Sequence, residues 1–204
     1  MNSPRLQRKP LPGFVLIVLA IGILIAVVSL VIPLLVRSQA AQAAPFTTST
    51  HPFTLTSPDF QDGGPLPQRS EFNKFGCHSP NIAPDLHWVG VPQDTKGFAL
   101  TVTDYDASVA PGFHHWIVYN IPASVRKLEG NQPFSEGTNS YGTIGYGGPC
   151  PPPDGQLHHY VFRLYALSIA HVSGKALTFN ELLDAIGHSV LGTTSIIGTF
   201  KLPS

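Results

Sequence analysis

The chain is 204 residues long, which accommodates one ordinary domain plus an accessory segment. Its 12 Lys and Arg balance 12 Asp and Glu, and they form no basic stripe or cluster, which argues against a nucleic-acid partner.

Residues 1–13 carry Arg5, Arg8 and Lys9. From Phe14 to Val36 the chain is uncharged and almost wholly Val, Ile, Leu, Ala and Gly. A helix needs about 20 apolar residues to cross a bilayer, so 14–36 reads as a transmembrane signal anchor. Basic residues lead it and only Arg37 follows closely, which puts 1–13 in the cytoplasm and the rest across the membrane. The alternative is a secretory signal cut after Ala41-Gln42-Ala43, giving a secreted protein, although signal cores run to only about 7–15 residues. All acidic residues lie beyond Arg37, so the exported part is mildly acidic. Cys77 and Cys150 then sit in an oxidising compartment, where a structural disulfide is the default expectation.

Residues 37–52 are mostly Ala, Gln, Ser, Thr and Pro without periodicity, as suits a flexible tether, and the domain proper spans 53–204. Phe53-Thr54-Leu55-Thr56 alternates apolar and polar like a half-buried strand, and Asp62-Gly63-Gly64-Pro65 has the chemistry of a turn. Gly97 to Thr103 alternates again, with Phe98, Leu100 and Val102 on one face. His115 to Ile121 and Tyr160 to Leu167 are more continuously apolar, as in central strands covered on both sides. Thr178-Phe179-Asn180-Glu181 fits a capping box. The helix it opens carries Leu182, Leu183 and Ile186 on one face, and Gly187 is placed to close it. Ser195 to Leu202 reads as a last strand. Many strands, frequent Pro/Gly turns and one late helix predict a mainly antiparallel β-domain.

Two constellations carry chemistry. Asp104-Tyr105-Asp106-Ala107-Ser108 ends one strand, and His114-His115-Trp116 opens the next after Ala110-Pro111-Gly112. If these strands are neighbours, Asp104 or Asp106 reaches His115, fixes its tautomer and raises its pKa. The second is Tyr146-Gly147-Gly148-Pro149-Cys150-Pro151-Pro152-Pro153, followed by His158-His159-Tyr160. Its backbone N–H groups could form an anion-binding concavity. A loop of this composition is more often only a loop. Zn²⁺ would accept His115, His158 and Asp104, but no spaced ligand pattern supports a metal, and Gly-x-Ser-x-Gly is absent.

These blocks resemble the two signature blocks of the phosphatidylethanolamine-binding proteins, the family that includes the Raf kinase inhibitor proteins. The bacterial and archaeal branch is the nearer match, through Ser57-Pro58-Asp59-Phe60, Cys77…Asn81…Pro84, Leu86-His87-Trp88, Asn120-Ile121-Pro122 and the Gly/Pro loop at 145–153. The resemblance spans about Phe53 to Lys201. It implies a β-sandwich on a large antiparallel sheet and a small pocket for phosphate or a phosphorylated headgroup. Carried over by motif, the pocket residues are Asp104, Asp106, His115, Gly148, His158 and Tyr160, with Gly147 beside them. The resemblance also places Cys77 and Cys150 near the pocket and implies a binding or inhibitory protein without catalysis or cofactor of its own. The chain departs from the family pattern at Tyr105 and Ser108, where prolines are usual, and at His159, where Arg is usual.

The reading is a membrane-anchored, extracytoplasmic binding protein for a small anionic or phosphorylated ligand. His115 and His158 donate to the anion, the N–H groups of Gly147 and Gly148 assist, Asp104 or Asp106 orients His115, and Tyr160 closes the pocket. Rival readings are an inhibitor of an envelope protease or kinase, a metal-dependent hydrolase using the His/Asp cluster, and a structural envelope domain.

Overall fold

The computed structural model describes residues 51–129 and 133–203. The anchor expected over 14–36, the cytoplasmic segment expected over 1–13 and most of the expected tether lie outside the described residues. Among the described residues no helix is long and apolar enough to cross a membrane.

The described residues form nine strands and one α-helix: β1 (Thr54–Thr56), β2 (Gly64–Pro65), β3 (Leu86–Val89), β4 (Gly97–Asp104), β5 (Phe113–Pro122), β6 (Lys127–Leu128), β7 (Ser135–Glu136), β8 (His158–Leu167), α1 (Phe179–Ile186) and β9 (Val190–Phe200). They form a three-stranded sheet, β1-β3-β6, and a six-stranded sheet, β2-β9-β8-β4-β5-β7. All pairings are antiparallel except β2 with β9, so the Asp62–Pro65 turn also contributes a short parallel edge.

One core lies between the sheets, where Leu55, Leu86, Trp88 and Leu128 meet Phe98, Leu100, Val102, Val118, Phe162 and Leu164. A second core covers the other face of the large sheet, with Ala99, Ile117, Tyr119 and Leu167 packed under Leu182 and Ile186 of α1. Burial on both faces explains why every residue of β4 is buried, although its sequence alternates as if one face met water. Thr101 and Thr103 are the polar residues of that second face.

The capping box at α1 is present: the Glu181 N–H donates to Thr178 Oγ1, and the Thr178 N–H donates to the Glu181 carboxylate at 2.8 Å. Gly187 does not close the helix in a left-handed turn. It stays right-handed, and the chain runs on as a 3-10 turn over Gly187–Ser189, whose last carbonyl accepts the Ser168 N–H at 2.8 Å. β9 also begins earlier than Ser195. Val190 to Thr194 pairs with the inner half of β8, but its outward residues are exposed or half-buried, so Gly192, Thr193 and Thr194 carry little strand signal.

Candidate anion site

The register of the large sheet assembles the site. Asp104, the last residue of β4, pairs with Phe113 on β5 and with Tyr160 on β8, so all three side chains share a face. His158 lies two residues before Tyr160 and joins that face. On β5 the register slips, Thr103 pairing with His114 and Val102 with Trp116, which leaves His115 as the extra residue of a bulge. A bulge re-aims side chains and breaks strict alternation. His115 and Trp116 therefore both turn toward the inter-sheet side, while His114 stacks on Phe179 of α1 at 3.8 Å. Of the two doubled histidines, one member of each reaches the cavity.

That cavity has a volume of about 420 Å³ and is walled by Asp104, Asp106, His115, His158 and Tyr160, with Phe113, Tyr141 and the Cys150–Pro152 segment. Phe113 and Tyr141 were not legible as site residues, whereas the Cys150–Pro152 segment stands in the Gly/Pro loop that the resemblance places near the pocket. No Lys or Arg lines it. The expected Cys77–Cys150 disulfide is formed, with the Cα atoms 5.9 Å apart, and fixes this wall to the segment after Lys74.

The expected partnership of Asp104 or Asp106 with His115 is not what forms. Asp104 accepts the His158 Nδ1–H at 2.7 Å and the Asp106 N–H at 2.9 Å, so both its oxygens are engaged inside the protein. Asp106 turns outward and accepts the backbone N–H and Nδ1–H of His159 at 2.7 and 2.8 Å. Burial pushes the Asp106 carboxyl up, but the His159 hydrogen bonds outweigh it and hold it below the ordinary carboxylate range. His115 is instead locked to the Gly loop, its Nδ1–H donating to the Gly147 carbonyl at 2.7 Å while the Gly147 N–H donates to the His115 carbonyl at 2.9 Å. A carbonyl only accepts, so the proton is on Nδ1, and the neutral ring's Nε2 is an acceptor.

The expected rise in the His115 pKa is likewise overturned. Burial dominates and pushes it down to about 4, against the smaller opposing pull of the Gly147 carbonyl and the Asp104 charge. The imidazole is 3 % exposed, and water can no longer solvate its charged form.

The N–H groups of Gly147 and Gly148 are both engaged within the protein. The Gly148 N–H donates to Asn81 Oδ1 at 2.7 Å, the Gly147 N–H is spent on His115, and neither residue lines the cavity. These glycines serve close packing: a Cβ on Gly148 would fall 1.8 Å from the Ser70 carbonyl oxygen. Asn81 supports the arrangement from a left-handed backbone position, also donating to the Tyr146 carbonyl at 3.0 Å.

Tyr160 is where the site holds an unused donor. Its side chain is 1 % exposed, and its hydroxyl has no hydrogen-bond partner among the described residues. The ring meets His115 edge-on at 5.0 Å. Burial and the Asp104 charge push the phenol up, so it stays protonated at any ordinary pH. Among the described residues no group of three or more His, Cys, Asp or Glu is arranged to hold a metal ion.

This fold and site define a class. The phosphatidylethanolamine-binding protein family matches residues 56–201, and the chain belongs to that family. It is 39 % identical to YbcL of Escherichia coli over 132 residues, covering 60 % of this chain and 72 % of the relative. A protein of Methanothermobacter thermautotrophicus is 37 % identical over 150 residues, 70 % of this chain and 94 % of its own. LppC of Mycobacterium tuberculosis, named a putative lipoprotein, is 35 % identical over 172 residues, covering 83 % of this chain and 82 % of its own. The crystal structure of Escherichia coli YbcL, described as a new member of the mammalian PEBP family, superposes with a TM-score of 0.71 at 32 % identity, over 74 % of this chain and 99 % of that one.

Proposed function

We propose that the domain binds a small phosphate-type anion in the cavity between β4, β5 and β8, without catalysis, and takes up a proton as it does so. The observation that carries this reading is the buried Tyr160 hydroxyl, a donor without a partner among the described residues, aligned with two imidazoles in one cavity. Leaving such a group unpaired costs about 1–3 kcal/mol, which an anion's oxygen would recover.

The charge balance explains the proton. Three carboxylates (Asp104, Asp106 and Asp154) and no Lys or Arg line the cavity. The neutral His115 offers Nε2 as an acceptor, so it meets an anion either by bonding a P–OH group or by becoming imidazolium. For a phosphomonoester dianion, which has no P–OH of its own, both routes bind one proton more in the complex than in the separated dianion and protein; the inorganic phosphate dianion already carries one P–OH and takes up a proton only by the imidazolium route.

Tyr160→Phe tests the reading. Phosphate should bind about 1.5–3 kcal/mol more weakly, the worth of a hydrogen bond to a charged group, while thermal stability stays level or rises because an unpaired hydroxyl is removed. His171→Ala, an exposed position outside the cavity, should change neither. Equal phosphate affinity in Tyr160→Phe and the unaltered chain would remove the basis for the site.

The extracytoplasmic, membrane-tethered placement draws on the apolar 14–36 stretch, on the disulfide, which persists in oxidising compartments, and on the lipoprotein name of one relative. A second reading, docking of a protease or kinase over the mouth of the cavity, is favoured by the exposed apolar side chains of Val109, Tyr105 and Leu157 beside it.

A further inference from the structure

A second cavity of about 350 Å³ lies on the other side of Trp116, between β5, β7 and the segment around Ile82. Trp116, Tyr146 and Phe134 with Val118, Leu128 and Ile144 supply its apolar side chains, while Asn81, Glu136 and backbone groups make its lining surface more polar than apolar. Trp116 and Tyr146 form an edge-to-face corner, ring centroids 5.5 Å apart at 78°. Into this corner comes one ionisable carboxylate, Glu136 of β7, and no basic side chain lines the cavity.

The Glu136 carboxylate is held and also left open. Its Oε1 accepts the Trp116 Nε1–H at 2.9 Å, while among the described residues no hydrogen bond reaches Oε2. Gly145 keeps that oxygen uncrowded: a Cβ there would sit 3.1 Å from Oε2, at a backbone φ of +96°. A fixed negative charge beside two aromatic rings, with one free oxygen and the aliphatic side chains of Val118, Leu128 and Ile144 nearby, is complementary to a single positive charge on a short apolar stem.

We infer that this second cavity is a binding site for an alkylammonium group, its charge on Glu136 and the Trp116–Tyr146 corner, and its stem along Val118, Leu128 and Ile144. A point-charge ammonium fits better than a guanidinium, which favours two free carboxylate oxygens in its fork. The site shares no lining residue with the anion cavity, and the inference stands whether or not that cavity binds phosphate.

The chain supplies its own reporter, because it has only two tryptophans, Trp116 in this wall and Trp88 in the inter-sheet core. The full chain, ¹⁵N-labelled in detergent micelles, is titrated with n-butylammonium chloride while the two indole N–H resonances are followed. The site predicts a saturable shift of Trp116 with Trp88 unmoved, and at least about tenfold weaker binding of n-butanol, which has the stem without the charge. Glu136→Gln keeps a carbonyl oxygen for the indole but loses the charge, and should also weaken butylammonium about tenfold or more. A short lysine-containing peptide run alongside assigns the group to a protein side chain if it binds tighter, and to a free amine if it binds weaker. No saturable Trp116 shift, equal binding of butanol, or undiminished binding to Glu136→Gln with the Trp88 resonance unchanged would each overturn the inference.

Discussion

At His115 the folded protein holds an imidazole where its charged form is poorly tolerated, with a free-state pKa pushed down to about 4 by burial. In the unfolded chain the ordinary value is about 6.5. The unfolded state therefore binds the proton more readily, and stability present above about pH 6.5 is lost as pH falls toward the folded value. At about 1.4 kcal/mol per unit the difference amounts to about 3 kcal/mol by pH 4. Denaturant titrations across that window should show the loss, and His115→Phe should flatten it. A stability curve with the same slope in both would place the acid sensitivity elsewhere. The partner of His115 was not legible in the sequence. Asp104 and Asp106 are near it along the chain, but the sheet register delivers Asp104 to His158, and the Gly147 carbonyl takes the ring.

Among the elements, β5 and the loop around Gly147 and Gly148 decide the site's shape. The long strands β4, β5 and β8 announce themselves by apolar runs, as does α1 by its capping box. The bulge at His115 does not, because two adjacent histidines look alike until the register is known. β6 and β7 are two residues each, too short to show any period. The glycine pair was legible as special, but its reason was not: the neighbour that forbids a side chain on Gly148, Ser70, is distant in sequence, and on Gly147 it is the Tyr141 ring. Gly148→Ala should therefore act as a packing lesion. With its Cβ 1.8 Å from the Ser70 carbonyl oxygen, the loop must shift, straining the Asn81 hydrogen bond. A loss of about 1–3 kcal/mol in thermal or denaturant unfolding is expected, as for overpacked sites. Full stability with weakened phosphate binding would instead return these glycines to a direct role at the ligand.

At the scale of the whole molecule, the described domain is a family sandwich, and the proposed membrane tether rests on the apolar sequence of residues 14–36. Retention of that segment predicts that protease added to spheroplasts digests the domain, while alkaline carbonate leaves the protein in the membrane pellet. A mature amino terminus at Ala44 would contradict this and support a cleaved signal. The central claim concerns the cavity, which no Lys or Arg lines and where the proposed proton uptake would balance a bound anion. Its most direct test is calorimetric titration of the full chain in detergent with methyl phosphate, in two buffers of different ionisation enthalpy. The account predicts saturable binding with net proton uptake per dianion bound, tightening as pH falls through the mildly acid range. Saturable binding without that uptake, or no saturable binding at all, would contradict it.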